Sequence, residues 1–384
     1  MKKLLTFVMG ALLLSSAPAM AQNAKKAQNA PKEKKEAAKP AKPELKYYDA
    51  RQFPLLGSPV ERQQRNAFVR LPDSLETKVD DNLWRWGNSP AGMSIRFCSD
   101  ATQIGVKFVT ATKFQMNHMT YTGIHGVDLY MLNDEGKWEF LAAGRPAEGN
   151  RNVKRTLMSN MTKKEREYML FLPLYDGLDS LVIGVDSASY VTQPKKQLIN
   201  RQRPIIAYST SIGQGGCASR PGMVHTAIMQ RELQREIINF GFSGGAQLQT
   251  PFAEVMGSVE AGMYIIDCLP NCTSKMLQER LIPFVDILRK KHPEVPILFV
   301  ESPIFPVCIH DQVTGKDIRD KNAVYRGLFE QLQQRGEKNI YYFYGDQIIG
   351  DEWDNTVDNY HFTDKGFVRF AKVLEPVIEA HALK

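Results

Sequence analysis

Ser211, Asp358 and His361 are residues whose types suit acyl transfer. In such chemistry a serine attacks, an imidazole takes its proton and returns it to the leaving group, and a carboxylate orients the ring and stabilises its cation. Ser211 lies in Ile205-Ile206-Ala207-Tyr208-Ser209-Thr210-Ser211-Ile212-Gly213-Gln214-Gly215-Gly216. The first four residues read as a short buried parallel strand, bounded upstream by Pro204, and the run then breaks into small residues. Open α/β sheets place their chemistry at the end of such a strand. An ordinary strand-to-loop turn with incidental serines would read the same way. Asp358-Asn359-Tyr360-His361 stands just before the last helical pattern, so both side chains can face one point at the carboxyl edge of the sheet. Asp/His pairs also occur on ordinary surfaces. His310, in Ile309-His310-Asp311, is a rival base without a clear strand end before it.

Acyl transfer also needs donors for the oxyanion. Gly244, in Asn239-Phe240-Gly241-Phe242-Ser243-Gly244-Gly245, offers a backbone N–H after the second strand. Asn271, in Asp267-Cys268-Leu269-Pro270-Asn271, offers its amide after the third. Each alone is more often a tight turn or a capping residue. The nucleophile, these two donors and the Asp/His pair nevertheless follow one another along successive βα loops.

Two other patterns compete. Gly241-Phe242-Ser243-Gly244-Gly245 fits G-x-S-x-G, which would make Ser243 the nucleophile. Only two strands precede it in its domain, however, and Asp358 and His361 are too close to follow separate strands. Gly213-x-Gly215-x-x-Ala218 imitates a dinucleotide fingerprint, but Asn239-Phe240 stands where an acidic residue should end the second strand.

The elements that must position these residues fall into two regions. From Tyr47 to about Tyr190 the pattern is one of short strands, with Met93, Ile95 and Phe97, then Ile104, Val106 and Phe108, alternating with polar neighbours. A hairpin spans 127–141 and another pair surrounds Asp176-Gly177. This predicts an all-β sandwich of jelly-roll type over 46–195, with no long helix. Trp84 and Trp86, at period-2 spacing, suit either a sugar-stacking surface or a structural edge. After a break at 192–203 the period changes. Strands at 205–208, 237–240, 263–266, 296–300 and 340–343 alternate with helices at 223–235, 276–290, 322–334 and 365–380. That is an α/β domain over 200–384 with a doubly wound, five-stranded parallel sheet.

Residues 1–21 have a secretory pattern: Lys2 and Lys3, an apolar run from Leu4 to Leu14, then Ala19-Met20-Ala21. The run is too short to span a bilayer, and no later segment is long and apolar enough. Residues 22–45, rich in Ala, Lys and Pro, read as a disordered tether. The formal charge of +7 loses +2 with the leader and +4 with the tether, leaving +1. A nearly neutral body argues against nucleic-acid binding. Five cysteines, an odd number, leave at least one thiol free in an exported protein. Cys268-x-x-x-Cys272 with Cys217 lacks a histidine at ligand spacing, which favours buried thiols over a zinc site.

The four blocks in order resemble the SGNH (GDSL-type) hydrolase superfamily. Ser209-Thr210-Ser211 sits at the Gly-Asp-Ser block with Ser211 as nucleophile, although Ser209 replaces the glycine and Thr210 the aspartate. Gly244 and Asn271 match the oxyanion glycine and asparagine, to which the Ser211 N–H adds a third donor. Asp358-x-x-His361 matches the terminal block, and Gly126-Val127-Asp128-Leu129-Tyr130 looks like the GxDLY signature of a subgroup with an N-terminal β-domain. The resemblance implies a flavodoxin-like SGNH fold and esterase, lipase or carbohydrate-deacetylase activity with no metal or cofactor. The expected protein is an exported serine esterase, periplasmic or extracellular, acting on a small-molecule or polysaccharide ester, O-acetylated sugars foremost. A lipase or thioesterase, or a carbohydrate-binding protein with an inactive hydrolase domain, are the alternatives. Gly126–Tyr130 is the segment expected to meet the hydrolase domain, with Asp128 pairing across the interface and Tyr130 packed there through a hydrogen-bonded hydroxyl.

Overall fold

Alternating burial marks one of the early strands: Val106 and Phe108 are buried while Lys107 between them and Val109 after them are partly open. This computed structural model describes residues 44–59, 66–351 and 353–384. The expected leader, and the expected tether up to residue 43, lie outside the described residues. Leu45 already opens the first strand.

In chain order the amino-terminal strands are β1 (Leu45–Asp49), β2 (Leu55–Leu56), β3 (Ser94–Ser99), β4 (Ile104–Thr110), β5 (Val127–Leu132), β6 (Trp138–Gly144), β7 (Asn152–Met158), β8 (Arg166–Phe171), β9 (Leu178–Asp186) and β10 (Val191–Thr192). They form two antiparallel sheets, ordered β1-β9-β4-β7 and β10-β3-β8-β5-β6, with β2 on β3. Ile95, Phe97, Val106, Phe108, Leu129, Leu170 and Ile183 share the apolar core of this region. The other face of the second sheet is covered too. Tyr130, Met169 and Phe171 belong to one continuous core with Ile205, Ile206 and Phe240 of the α/β layer. Tyr168-Met169-Leu170-Phe171 is apolar throughout because it is buried on both faces.

The α/β layer holds β11 (Asn200–Ser209), β12 (Arg235–Gly241), β13 (Met263–Asp267), β14 (Ile297–Val300) and β15 (Ile340–Phe343), all parallel, in the order β12-β11-β13-β14-β15. Ser209 pairs with Gly241 on one side and Asp267 on the other, so three strand ends lie level at one edge. Helices at His225–Glu232, Ser274–Lys291, Gln312–Gln334 and Asp364–His381 complete the layer.

The elements differ from the sequence reading in two places. The helix expected from 322 begins at Gln312, where the Asp311 carboxylate accepts from the Val313 and Thr314 N–H groups at 3.0 and 3.1 Å. Its first turns show no apolar stripe; Val313 is exposed, and Lys316–Asp320 and Lys321–Asp317 ion pairs line the surface. Trp84 and Trp86 stand on a short helix, Asp81–Gly87, not beside a strand.

Candidate active site

At the end of β11 the Thr210 hydroxyl accepts from the Ile212 N–H at 3.3 Å, capping a single helical turn that begins at Ser211. Gly213 permits this turn, because a Cβ there would fall 2.3 Å from the Ser209 Cβ. Ser209 itself donates to the Asp267 carboxylate at 2.6 Å across the strand ends. Both are buried, and burial pushes the Asp267 carboxyl up to about 7.

The Asp358–His361 loop is closed by a bridge between Thr356 and Phe362, with Asn359 in the left-handed region at φ 71°. The Asp358 Oδ1 accepts from the His361 backbone N–H at 2.8 Å, while its Oδ2 meets His361 Nδ1 at 2.7 Å. The other ring nitrogen, Nε2, lies 2.8 Å from Ser211 Oγ. Partial burial opposes the charge on Asp358, but the His361 hydrogen bonds outweigh it and hold the carboxyl below its ordinary value. A hydroxyl, an imidazole and a carboxylate are thus linked in the geometry that proton transfer from serine requires. Gly216 makes room for the ring, since a Cβ there would come within 2.9 Å of His361 Cδ2.

Three donors have no acceptor among the described residues: the N–H groups of Ser211 and Gly244 and the Asn271 amino group. Gly244 takes φ 69° in the turn after β12. Asn271 Oδ1 accepts from the Ala246 N–H at 3.3 Å, which turns its amino group away from that backbone.

Several residues that hold this arrangement carried no sequence signal. Tyr175, from the β region, donates to the Ser211 carbonyl at 3.1 Å and packs edge-on against Trp86. Gln214 accepts from the Ser243 N–H at 2.8 Å, and Asn82 donates to the Ser243 carbonyl at 2.7 Å, so both fix the Gly244 turn. Arg70 is wholly buried with its guanidinium on the carbonyls of Asn239, Gly241, Ser89 and Trp86. Backbone carbonyls solvate this cation, and burial lowers its pKa to about 9. Such residues are legible only once distant segments are brought together. Asp128 does reach across the interface: its Oδ2 accepts from Arg220 Nη1 at 2.8 Å and the Gly222 N–H at 2.9 Å. Arg220 also donates to the Tyr130 hydroxyl at 2.6 Å.

The competing residues fall elsewhere. Ser243 has no histidine partner among the described residues. His310 is exposed at the end of a short helix, Val307–His310. In a second buried Asp–His pair, Asp176 with His125 at 2.8 Å, the other ring nitrogen meets the Phe114 carbonyl and not a serine hydroxyl. All five cysteines are free and buried, and Cys217 does not join Cys268 and Cys272 in a ligand cluster.

Comparison with known proteins agrees with this architecture. Residues 202–379 match the GDSL-like lipase/acylhydrolase family, and residues 45–191 match the N-terminus of SGNH-hydrolase-type esterases. A solved structure from Bacteroides ovatus, described as a GDSL-like lipase, is 30% identical, with 88% of this chain and 98% of that one aligned at a TM-score of 0.83. The chain belongs to the GDSL-like lipase/acylhydrolase family. Membership makes it an ester-hydrolysing enzyme. The GDSL fold with its amino-terminal β region recurs in the salicylyl-acyltransferase of a tetracycline biosynthetic pathway, 16% identical over 88% of this chain and 97% of that one, TM-score 0.71. It recurs again in a family two carbohydrate esterase from Clostridium thermocellum bound to cellohexaose, 13% identical over 76% of this chain and 92% of that one, TM-score 0.53. No curated protein matches the sequence. No described helix of this GDSL protein is long and apolar enough to cross a membrane.

Proposed function

We propose that this protein is an exported serine esterase that removes O-acetyl groups from carbohydrates through an acyl-enzyme on Ser211. The observation that carries the reading is the line from Ser211 Oγ to His361 Nε2 at 2.8 Å and from His361 Nδ1 to Asp358 at 2.7 Å. Ser211 Oγ attacks the ester carbonyl as its proton passes to His361 Nε2, and Asp358 stabilises the imidazolium. The N–H groups of Ser211 and Gly244 and the Asn271 amide receive the oxyanion. The intermediate collapses, the C–O bond to the sugar breaks, and His361 returns the proton to the departing alcohol oxygen. Water then attacks the acyl-enzyme, again losing its proton to His361, and the acid leaves with Ser211 restored.

Two features favour a sugar ester over a long acyl chain. Tyr175, which bonds the Ser211 carbonyl, also lines a cavity of about 450 Å³ with Trp86, Phe114, Asn88, Thr112 and Asp179. Aromatic faces interleaved with polar groups suit a hydroxylated ring better than an alkyl tail. The carbohydrate esterase solved with cellohexaose shares the fold and adds to this reading by analogy. The β region, which we read as jelly-roll in type, would then form a wall of the substrate cleft. Export follows from the leader pattern at 1–21.

The test compares release of acetate from acetylated oligosaccharides with hydrolysis of nitrophenyl acetate and nitrophenyl palmitate. Ser211→Ala should abolish turnover, by roughly three orders of magnitude or more, while Ser243→Ala retains it. A preference for palmitate would replace the sugar ester with a lipid. No turnover of any ester, or phosphonate labelling at Ser243 in place of Ser211, would overturn the mechanism.

A further inference from the structure

Around the Ser211–His361 line lies a set of donors that shares Asp358 and His361 with the acyl-transfer relay and adds His118 and Cys217, which have no part in it. His118, Cys217, Asp358 and His361 each offer one ligand atom, and these four atoms all lie within 4.8 Å of one another. Two imidazole nitrogens, a sulfur and a carboxylate oxygen are a donor set that four-coordinate zinc accepts, and a modest inward shift would bring them to bonding distance. Cys217 is buried at the floor, both histidines are half-buried, and Asp358 is exposed at the mouth. An ion therefore has a path in from solvent.

The donors come from three distant segments, and each segment is held by contacts of its own. Asn117 Oδ1 lies 3.0 Å from His118 Nδ1 and can accept a hydrogen bond from an Nδ1–H, the tautomer that leaves Nε2 as the lone-pair nitrogen for an ion. Thr120 Oγ1 donates to the Ser219 carbonyl at 2.6 Å, tying the His118 loop to the Cys217 segment. The Ser219 N–H in turn donates to Asp364 at 2.9 Å, at the start of the helix that follows His361. Cys217 itself takes φ 70°, a left-handed conformation uncommon for a side chain of its kind. Two glycines precede it, so a third would have been the unstrained choice, and the strained cysteine places a sulfur against Asp358 and His361.

We propose that these four side chains form a reversible site for a thiophilic divalent cation, zinc foremost, and that its occupancy switches the esterase off. Ligation exchanges the Cys217 S–H bond for a sulfur–metal bond, and the proton goes to solvent with no change of oxidation state. Both ring nitrogens of His361 are already engaged, Nε2 with Ser211 and Nδ1 with Asp358. A metal on either one breaks the relay. The inhibitory half of the proposal rests on the Ser211 mechanism above, whereas the binding half rests on the four donors alone.

The experiment has two arms. In the first, zinc chloride is titrated into the full-length enzyme during nitrophenyl acetate hydrolysis. Micromolar zinc should suppress turnover, and EDTA should restore it. His118→Ala and Cys217→Gly should keep basal turnover but require at least about tenfold more zinc; glycine at 217 accepts the left-handed backbone, so this variant should fold. In the second, Ser211→Ala is loaded with cobalt(II), which should give a near-ultraviolet sulfur-to-cobalt charge-transfer band that vanishes when Cys217→Gly is added. This arm reads the site without any activity, so a failed catalytic assignment and a failed metal site give different results. Unchanged zinc sensitivity in both variants, or no thiolate–cobalt band, would overturn the proposal.

Discussion

Asp267 offers the most quantitative test of how the site is held. Its carboxyl ends β13, four residues before Asn271, and receives a hydrogen bond from Ser209, two residues before Ser211. Burial raises it from 3.8 to about 7, with the Ser209 bond partly opposing the rise. At about 1.4 kcal/mol per pH unit, that difference corresponds to about 4 kcal/mol. The raised value belongs to the folded state, so the fold favours the neutral acid. The associated stability is fully present below the unfolded pKa near 4 and is lost as the pH rises through about 7. Asp267→Asn removes the titration while keeping the shape. In urea unfolding from pH 5 to 8, the variant should gain on the wild type by about 1.4 kcal/mol per pH unit up to about pH 7 and then level off. Ser209→Gly, which supplies the family glycine, removes the one bond that favours the anion, so its deficit against the wild type should grow above pH 6. A difference between Asp267→Asn and wild type that stays flat across this range would refute the reasoning, because it would mean that Asp267 ionises as an ordinary surface carboxyl.

Asn271→Ala should lower kcat by about 10²–10³ with little change in KM, since its donor meets charge only near the transition state; an effect confined to KM would make it a binding residue. Tyr175→Phe loses the bond to the Ser211 carbonyl and should lower kcat by roughly tenfold at unchanged far-UV circular dichroism, on the scale of one lost hydrogen bond. Unaltered kcat would reduce Tyr175 to packing. Arg220→Ala leaves the fully buried Asp128 carboxylate without its cation and should cost roughly 3 kcal/mol in urea unfolding, whereas Asp128→Asn should be milder. Residues 200–384 expressed alone would expose the face now covered by Tyr130, Met169 and Phe171, and should aggregate. A soluble, active fragment would make the β region a separate module.

Local chemistry explains what the sequence determined by itself. Ile205–Tyr208 reads as a buried strand because all four side chains are apolar or aromatic, and a parallel strand between neighbours on both sides demands that run. The Asp358–His361 spacing is a property of one tight loop, whose carboxylate caps the backbone N–H of the residue whose ring it also meets, so three residues of sequence are enough to define it. The same holds for the alternation in β4 and the apolar stripe of the last helix. The long helix from Gln312 escaped because its first turns bury little, and exposed turns held by a cap and ion pairs leave no periodic trace. Only the tertiary structure brought His361 to Ser211, 150 residues away, and set Tyr175, Asn82 and Arg70 behind the same edge of the sheet. It alone placed His118 beside Cys217. Contacts of that kind depend on how two layers dock, and docking is fixed by the summed burial of many side chains, which no single segment encodes.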